Sequence, residues 1–292
     1  MTPQAAILEA IPDHARSLFF DLKPGADPRL ALRQLAAACD GQRVVLGIGV
    51  PVVAALGVML AGLRGFPDLP RAKPAIPATQ HALWLWLRGD EPGDLLHQGR
   101  ALEALAAPAF TRVQALDAYR YRDSRDLTGY EDGTENPQDD EAVAVAIAQG
   151  QGAGLDGSSF AAVQQWLHDF SVFDAMPRAR QDDSIGRNRD SNEELGDAPE
   201  SAHVKRTAQE DFEPPAFVVR RSMPWTQDAD AGLVFLAFGK SFDAFEALLE
   251  RMTGHDDGIS DALFDFTRPL TGGFYWCPPM GSAGVDLRAL EI

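Results

Sequence analysis

Short all-apolar runs alternate along the chain with stretches in which apolar residues recur every three or four positions. The runs at residues 17–22, 44–52, 83–87, 160–167, 217–219, 233–238 and 273–276 have strand character, and several of the stretches between them have helical spacing. Two segments show the plan best: ALWLWLRGDEPGDLLHQGRALEALA (82–106) and GLVFLAFGKSFDAFEALLERMTG (232–254). Each reads as a strand, a glycine-containing turn and an amphipathic helix of about three turns. Residues 15–52 supply a strand, a helix and a strand before the first unit. Residues 158–223 do the same before the second, with long insertions.

The pattern therefore predicts an α+β protein made of two ferredoxin-like βαββαβ halves with antiparallel sheets, the other reading being one irregular α+β domain. The expected division is an N-terminal half over 1–125, a connection over 126–157 and a C-terminal half over 158–292. Two segments fit neither half: the acidic connection that runs on to GQGAGLDGSS, and the polar stretch 177–215. The second is far longer than the roughly 4 to 6 residues that join elements in compact domains, so it is either a mobile surface excursion or functional.

Composition narrows the partners. Of 292 residues 45% are hydrophobic, which excludes wholesale disorder, and the formal net charge is −17. Such a chain repels phosphate backbones and anionic membrane surfaces, so nucleic acid and membrane are not expected as partners. The N-terminus lacks the basic start and apolar core of a secretory signal, and no run approaches the roughly 18 apolar residues of a membrane span. A cytoplasmic protein is expected. Cys39 and Cys277 form no CxxC, haem-attachment or zinc spacing and read as buried thiols.

DLTGYEDGTENPQDDE, residues 126–141, is the densest acidic stretch. Laid on a calcium-loop template from Asp132, it has Pro137 where the turn glycine belongs and Val143 where the bidentate glutamate belongs. The match fails. Asp126, Glu131, Glu135, Asp139, Asp140 and Glu141 then read as a solvated turn. Asp132 stands apart, because Gly129 and Gly133 let its backbone turn tightly or approach a ligand. Among six histidines, His203 in SAHVKRT stands out, late in the polar insertion and just before the chain returns to a strand. His168 reads as a polar edge or a satisfied core residue. In FVVRRSMPW a β-branched strand runs into Arg220 and Arg221, which alternation puts on opposite faces, with Ser222 on the face of Arg220. A buried Arg220 needs a carboxylate partner or a polar ligand.

Taken together, DLTGYEDGTENP, SIGRNRDSNEEL, SAHVKRT, VVRRSMPW and FTRPLTGGFYWCP, in this order, resemble the dye-decolorizing peroxidases, in particular the bacterial class B branch. The resemblance covers nearly the whole chain and implies an α+β fold of the dimeric α+β barrel type, with haem b, one per chain, in the C-terminal half. It implies a peroxidase that uses hydrogen peroxide to oxidise small-molecule electron donors such as dyes and phenolics, and a homo-oligomer. The alternative is a haem- or porphyrin-handling protein of the same fold. By resemblance the GxxDG motif falls on Gly129, Asp132 and Gly133, the axial histidine that binds the iron on His203, and the distal arginine on Arg220. Where some members carry Asn, this chain has Ser222, expected to assist catalysis with Asp132 and Arg220.

Several expectations follow from these roles. The second ring nitrogen of His203 needs a carboxylate, for which Asp261 is preferred over Asp265. Arg187 and Arg206 are the nearest cations for the haem propionates. Asp132 is expected to shuttle a proton and Arg220 to stabilise negative charge, with their mutual attraction keeping Asp132 ionised. Trp84, Trp86, Trp166, Trp225 and Trp276 lie on or beside predicted strands, where aromatic residues are more often core than electron relays.

Overall fold

The computed structural model describes residues 1–67, 69, 72 and 74–292. Its first half runs β1 (His14–Leu22), α1 (Arg29–Ala38), β2 (Val44–Ile48), α2 (Val50–Leu56), β3 (Leu83–Gly89), α3 (Pro92–Ala106) and β4 (Phe110–Tyr119). A connection carrying α4 (Asp139–Ala146) leads to β5 (Ser159–His168). Then comes α5 (Phe170–Ala175), and the polar insertion holds α6 (Arg178–Ile185) and α7 (His203–Arg206). After it come β6 (Val219–Arg220), β7 (Met223–Gln227), β8 (Asp230–Gly239), α8 (Asp243–Met252), β9 (Thr267–Pro269) and β10 (Gly273–Cys277).

The strand order is β4-β1-β3-β2 in the first half and β10-β5-β8-β6 in the second, and every one of these pairings is antiparallel. Both orders are the same ferredoxin-like arrangement, so the predicted duplication is present. A bridge between Ile48 and Trp276 joins β2 to β10 in one sheet, and β4 packs against β7 at the far side.

Period-two alternation explains the layering. On β1, Leu18 and Phe20 face the layer that holds Leu32 and Leu35 of α1, while Ala15 and Phe19 face a second cluster with Trp84, Trp86, Val163, Phe238 and Tyr275. That second cluster takes side chains from both halves, so the two half-sheets share one interior. Helices cover the outer layer. On α8, Phe245, Leu248, Leu249 and Met252 are buried at the spacing of one helical face. Each such side chain contributes about 1.5–3 kcal/mol when fully removed from water. Cys39 and Cys277 are free and buried, as their spacing implied.

Two expectations need correction. The run 44–52 is not one strand: β2 ends at Ile48, Gly49 is the N-cap of α2, and Pro51 sits in its first turn, where its missing N–H costs nothing. Strands β4 and β7 were not among the apolar runs. Thr111, Arg112 and Gln114 interrupt the start of β4, and β7 ends on the exposed pair Thr226 and Gln227, so neither reads as a continuous apolar segment. Of the two readings left open for 177–215, a featureless excursion does not fit, since the segment carries α6 and α7 and supplies walls to the cavity described below. No helix among the described residues is long and apolar enough to cross a membrane.

Candidate functional site

His203 opens α7, and its carbonyl accepts from the amide and hydroxyl of Thr207 at 2.9 and 2.7 Å. Its ring is set from below by Asp261, whose Oδ2 lies 2.7 Å from Nδ1. The Asp261 side chain is fully buried and held at both ends: Oδ1 accepts from the Leu263 amide at 2.8 Å, and its own amide donates to the Met252 carbonyl. A carboxylate only accepts, so Nδ1 is the donating nitrogen, and in the neutral imidazole Nε2 then has a lone pair for the cavity that His203 lines.

That cavity has a volume of about 130 Å³ and is walled by Ile185, Leu233, Phe235, Leu263 and Phe266, with Trp166 beside them. Its polar lining is Asp126, Asp132, His168, His203, Arg220 and Thr267, with Thr128, Tyr130 and Glu131. A second recess of about 310 Å³ shares Asp132, His203 and Arg220 and opens past Arg187, Glu135 and Glu194. The two recesses meet at Asp132, His203 and Arg220, so together they offer one bound molecule an imidazole nitrogen, an apolar wall and convergent polar groups.

Arg220 ends β6, opposite Ala237 of β8. Its Nε is buried and has no hydrogen-bond partner among the described residues. Asp132 follows Tyr130 and Glu131 on the loop, and Gly133 after it has φ +88°, a conformation that a side chain would strain. Arg220 does pull the Asp132 carboxyl toward its ionised form, as expected of a guanidinium, but it is not the dominant influence. Burial pushes the Asp132 carboxyl up, Asp126 adds to this, and the attraction of Arg220 and His203 does not offset it.

Asp126 corrects a second expectation, since it is no solvated turn residue. Its Oδ2 lies 3.0 Å from His168 Nε2, and its Oδ1 accepts from the amide and hydroxyl of Thr128 at 2.8 and 2.6 Å. His168 Nδ1 lies 2.8 Å from Thr267 Oγ1. Burial pushes the Asp126 carboxyl up, but the bond and charge of His168 and the Thr128 donors outweigh it and hold it below the usual value. Glu131 pairs with Arg125 at 2.7 Å and Glu135 with Arg187 at 2.9 Å, while Asp139, Asp140 and Glu141 form the first turn of α4.

The remaining residues divide. Arg187 reaches the mouth of the larger recess, where it pairs with Glu135 and Glu194. Arg206 does not face the cavity: its guanidinium is buried against Asp257 at 2.7 Å and the Arg251 carbonyl at 2.6 Å. Ser222 is not brought into the cavity either. Its hydroxyl accepts from the Leu236 amide at 3.3 Å and lines a separate small recess behind Asp132, because a short side chain reaches only the neighbouring strand. Asp265 pairs with Arg180 at 2.8 Å instead of serving His203. Sequence reasoning missed His168 and Thr267 as lining residues. The one signal available was that His168 directly follows the run 160–167, where a ring at the end of a buried strand needs a polar partner.

The same region matches known proteins. The family model described as Dyp-type peroxidase, C-terminal, covers residues 123–282. A dye-decolorizing peroxidase of Mycolicibacterium paratuberculosis is 30% identical over 75% of this chain, and one of Rhodococcus erythropolis is 27% identical over 93%. The chain spans 63% of the length of the first and 85% of the second. Among solved structures, a dye-decolorizing protein from V. cholerae superposes with a TM-score of 0.85 at 25% identity, covering 98% of each chain. A DypB variant from Rhodococcus jostii RHA1, solved in complex with heme, gives 0.87 at 26% identity, covering 95% of this chain and 96% of that one.

Proposed function

Because the chain belongs to the Dyp-type peroxidase family, we propose that it is a haem-dependent peroxidase of the class B branch, using hydrogen peroxide to oxidise small organic donors. The observation that carries the reading is the buried Asp261–His203 pair, with a free ring nitrogen in an apolar cavity that also holds Asp132 and an Arg220 whose Nε is unpartnered. These residues fit haem b: His203 Nε2 would hold the iron, Asp261 would orient the ring, and Arg187 at the mouth would meet a propionate. Arg206, which lines neither recess and turns its terminal nitrogens to Asp257 and the Arg251 carbonyl, is not part of this proposal.

When bound, the haem supplies an iron that takes peroxide and receives its oxidising equivalents. The protein supplies proton handling and charge. Asp132 would serve as the proton shuttle for peroxide, and its raised carboxyl would hold a proton more readily than an ordinary aspartate. The Arg220 guanidinium would stabilise the negative charge that develops on the departing oxygen. The apolar wall of Leu233, Phe235 and Phe266 keeps bulk water from competing.

A Soret band in the purified protein, lost in His203→Ala with the fold retained, tests the cofactor. Arg220→Leu should then slow the reaction with peroxide by about 10²–10³-fold, the scale of removing one preorganised charge donor. A colourless chain that cannot be reconstituted overturns the reading.

A further inference from the structure

We propose that Asn136 is a positioning residue for Arg220, its side-chain amide standing in for the missing strand at the open edge of β6. The inference rests on the peroxidase reading for its consequence, but its geometry stands alone. Val219 and Arg221 turn their backbone toward β8, so the N–H and C=O of Arg220 point away from it. Asn136 takes both: the Arg220 amide donates to Asn136 Oδ1 at 2.9 Å, and Asn136 Nδ2 donates to the Arg220 carbonyl at 2.9 Å.

Asn136 lies four residues after Asp132 on the same loop. Its own amide donates to the Gly133 carbonyl at 3.0 Å, closing a tight turn directly behind Asp132. The loop that carries the proton-handling carboxylate is thus tied to the backbone that carries the charge-stabilising guanidinium. Gln209 adds a weaker tie in parallel, accepting from the Val218 amide at 2.9 Å and reaching the Glu135 carbonyl at 3.4 Å. The Arg220 carbonyl has a second donor in Arg221 Nη1 at 2.9 Å, whereas the Arg220 amide has Asn136 as its partner among the described residues. Losing Asn136 therefore frees the amide end first.

Asn136→Ala and Asn136→Asp separate positioning from space filling. Asp keeps the volume and one acceptor but sets a carboxylate oxygen against the Arg220 carbonyl, so it should not rescue. Both variants should retain the Soret band and the donor KM, while the rate constant with peroxide falls by about 10- to 100-fold, as misplacement of a reacting group by about 1 Å does. Cyanide affinity of the ferric protein, read from the Soret shift, should fall with it. Amide exchange of Arg220, measured on the full chain without haem, should quicken in Asn136→Ala. Wild-type peroxide kinetics in both variants, or unchanged exchange, overturns the proposal; if Asn136→Ala does not fold, Asn136→Asp decides alone. A chain that takes up no haem counts against the peroxidase reading and leaves the exchange result to judge the clamp.

Discussion

Asp261 has two carboxylate oxygens and both are in use, one on His203 Nδ1 at 2.7 Å and one on the Leu263 amide at 2.8 Å. Asp261→Asn has only one acceptor oxygen, so one of the two donors must lose its partner. If the amide oxygen stays on Leu263, the NH₂ faces Nδ1, the imidazole must carry its proton on Nε2, and that nitrogen no longer has a lone pair for iron. Haem affinity should then fall by about 10–100-fold, equivalent to about 1.4–2.7 kcal/mol. If the oxygen turns to His203 instead, the cap on Leu263 is lost at about 1 kcal/mol, and Tm falls by about 2–4 °C. Titrating haem into the apoprotein while following the Soret band, with a melting curve of each variant, measures both. Wild-type haem affinity together with wild-type Tm in Asp261→Asn would refute the two-acceptor account.

Two carboxylates in one cavity should respond to pH with opposite signs. The Asp126 carboxyl is held low, so it stabilises the fold above the ordinary value of about 3.9, and this is lost as pH falls through its folded value. The Asp132 carboxyl is raised, so its contribution is full below about 3.9 and is lost as pH rises through its folded value. At neutral pH, Asp126→Asn should therefore lower Tm and Asp132→Asn raise it, both differences shrinking in acid; equal signs would contradict the assignment. Gly186 has φ +90°, and a Cβ there would lie 2.2 Å from Val204 Cγ2, next to His203. Gly186→Ala should cost at least about 1–2 kcal/mol of stability and lower haem uptake, as melting and Soret titration would show.

The duplicated βαββαβ plan was legible because the β3–α3 and β8–α8 segments each carry a complete strand, turn and amphipathic face. Strands β4 and β7 were not, because their exposed polar positions break up the apolar runs. His203, Asp132 and Arg220 could be named from the resemblance carried by motifs that lie far apart in sequence, and the order of elements admitted Asp261 alongside Asp265. The partner of Arg206, the turn of the Ser222 hydroxyl and the Asp126–His168 pair could not, since each depends on which backbone lies opposite.

Local periodicity and side-chain chemistry are enough to set the element pattern, the acidic charge and the residue types able to ligate, shuttle and stabilise, because each follows from a residue and its near neighbours. Which acids are buried, and which way their protons are biased, was settled by packing alone. Burial and neighbouring charge are properties of segments folded against one another, so Asp126 and Asp132, six residues apart in one acidic loop, end with carboxyls shifted in opposite directions.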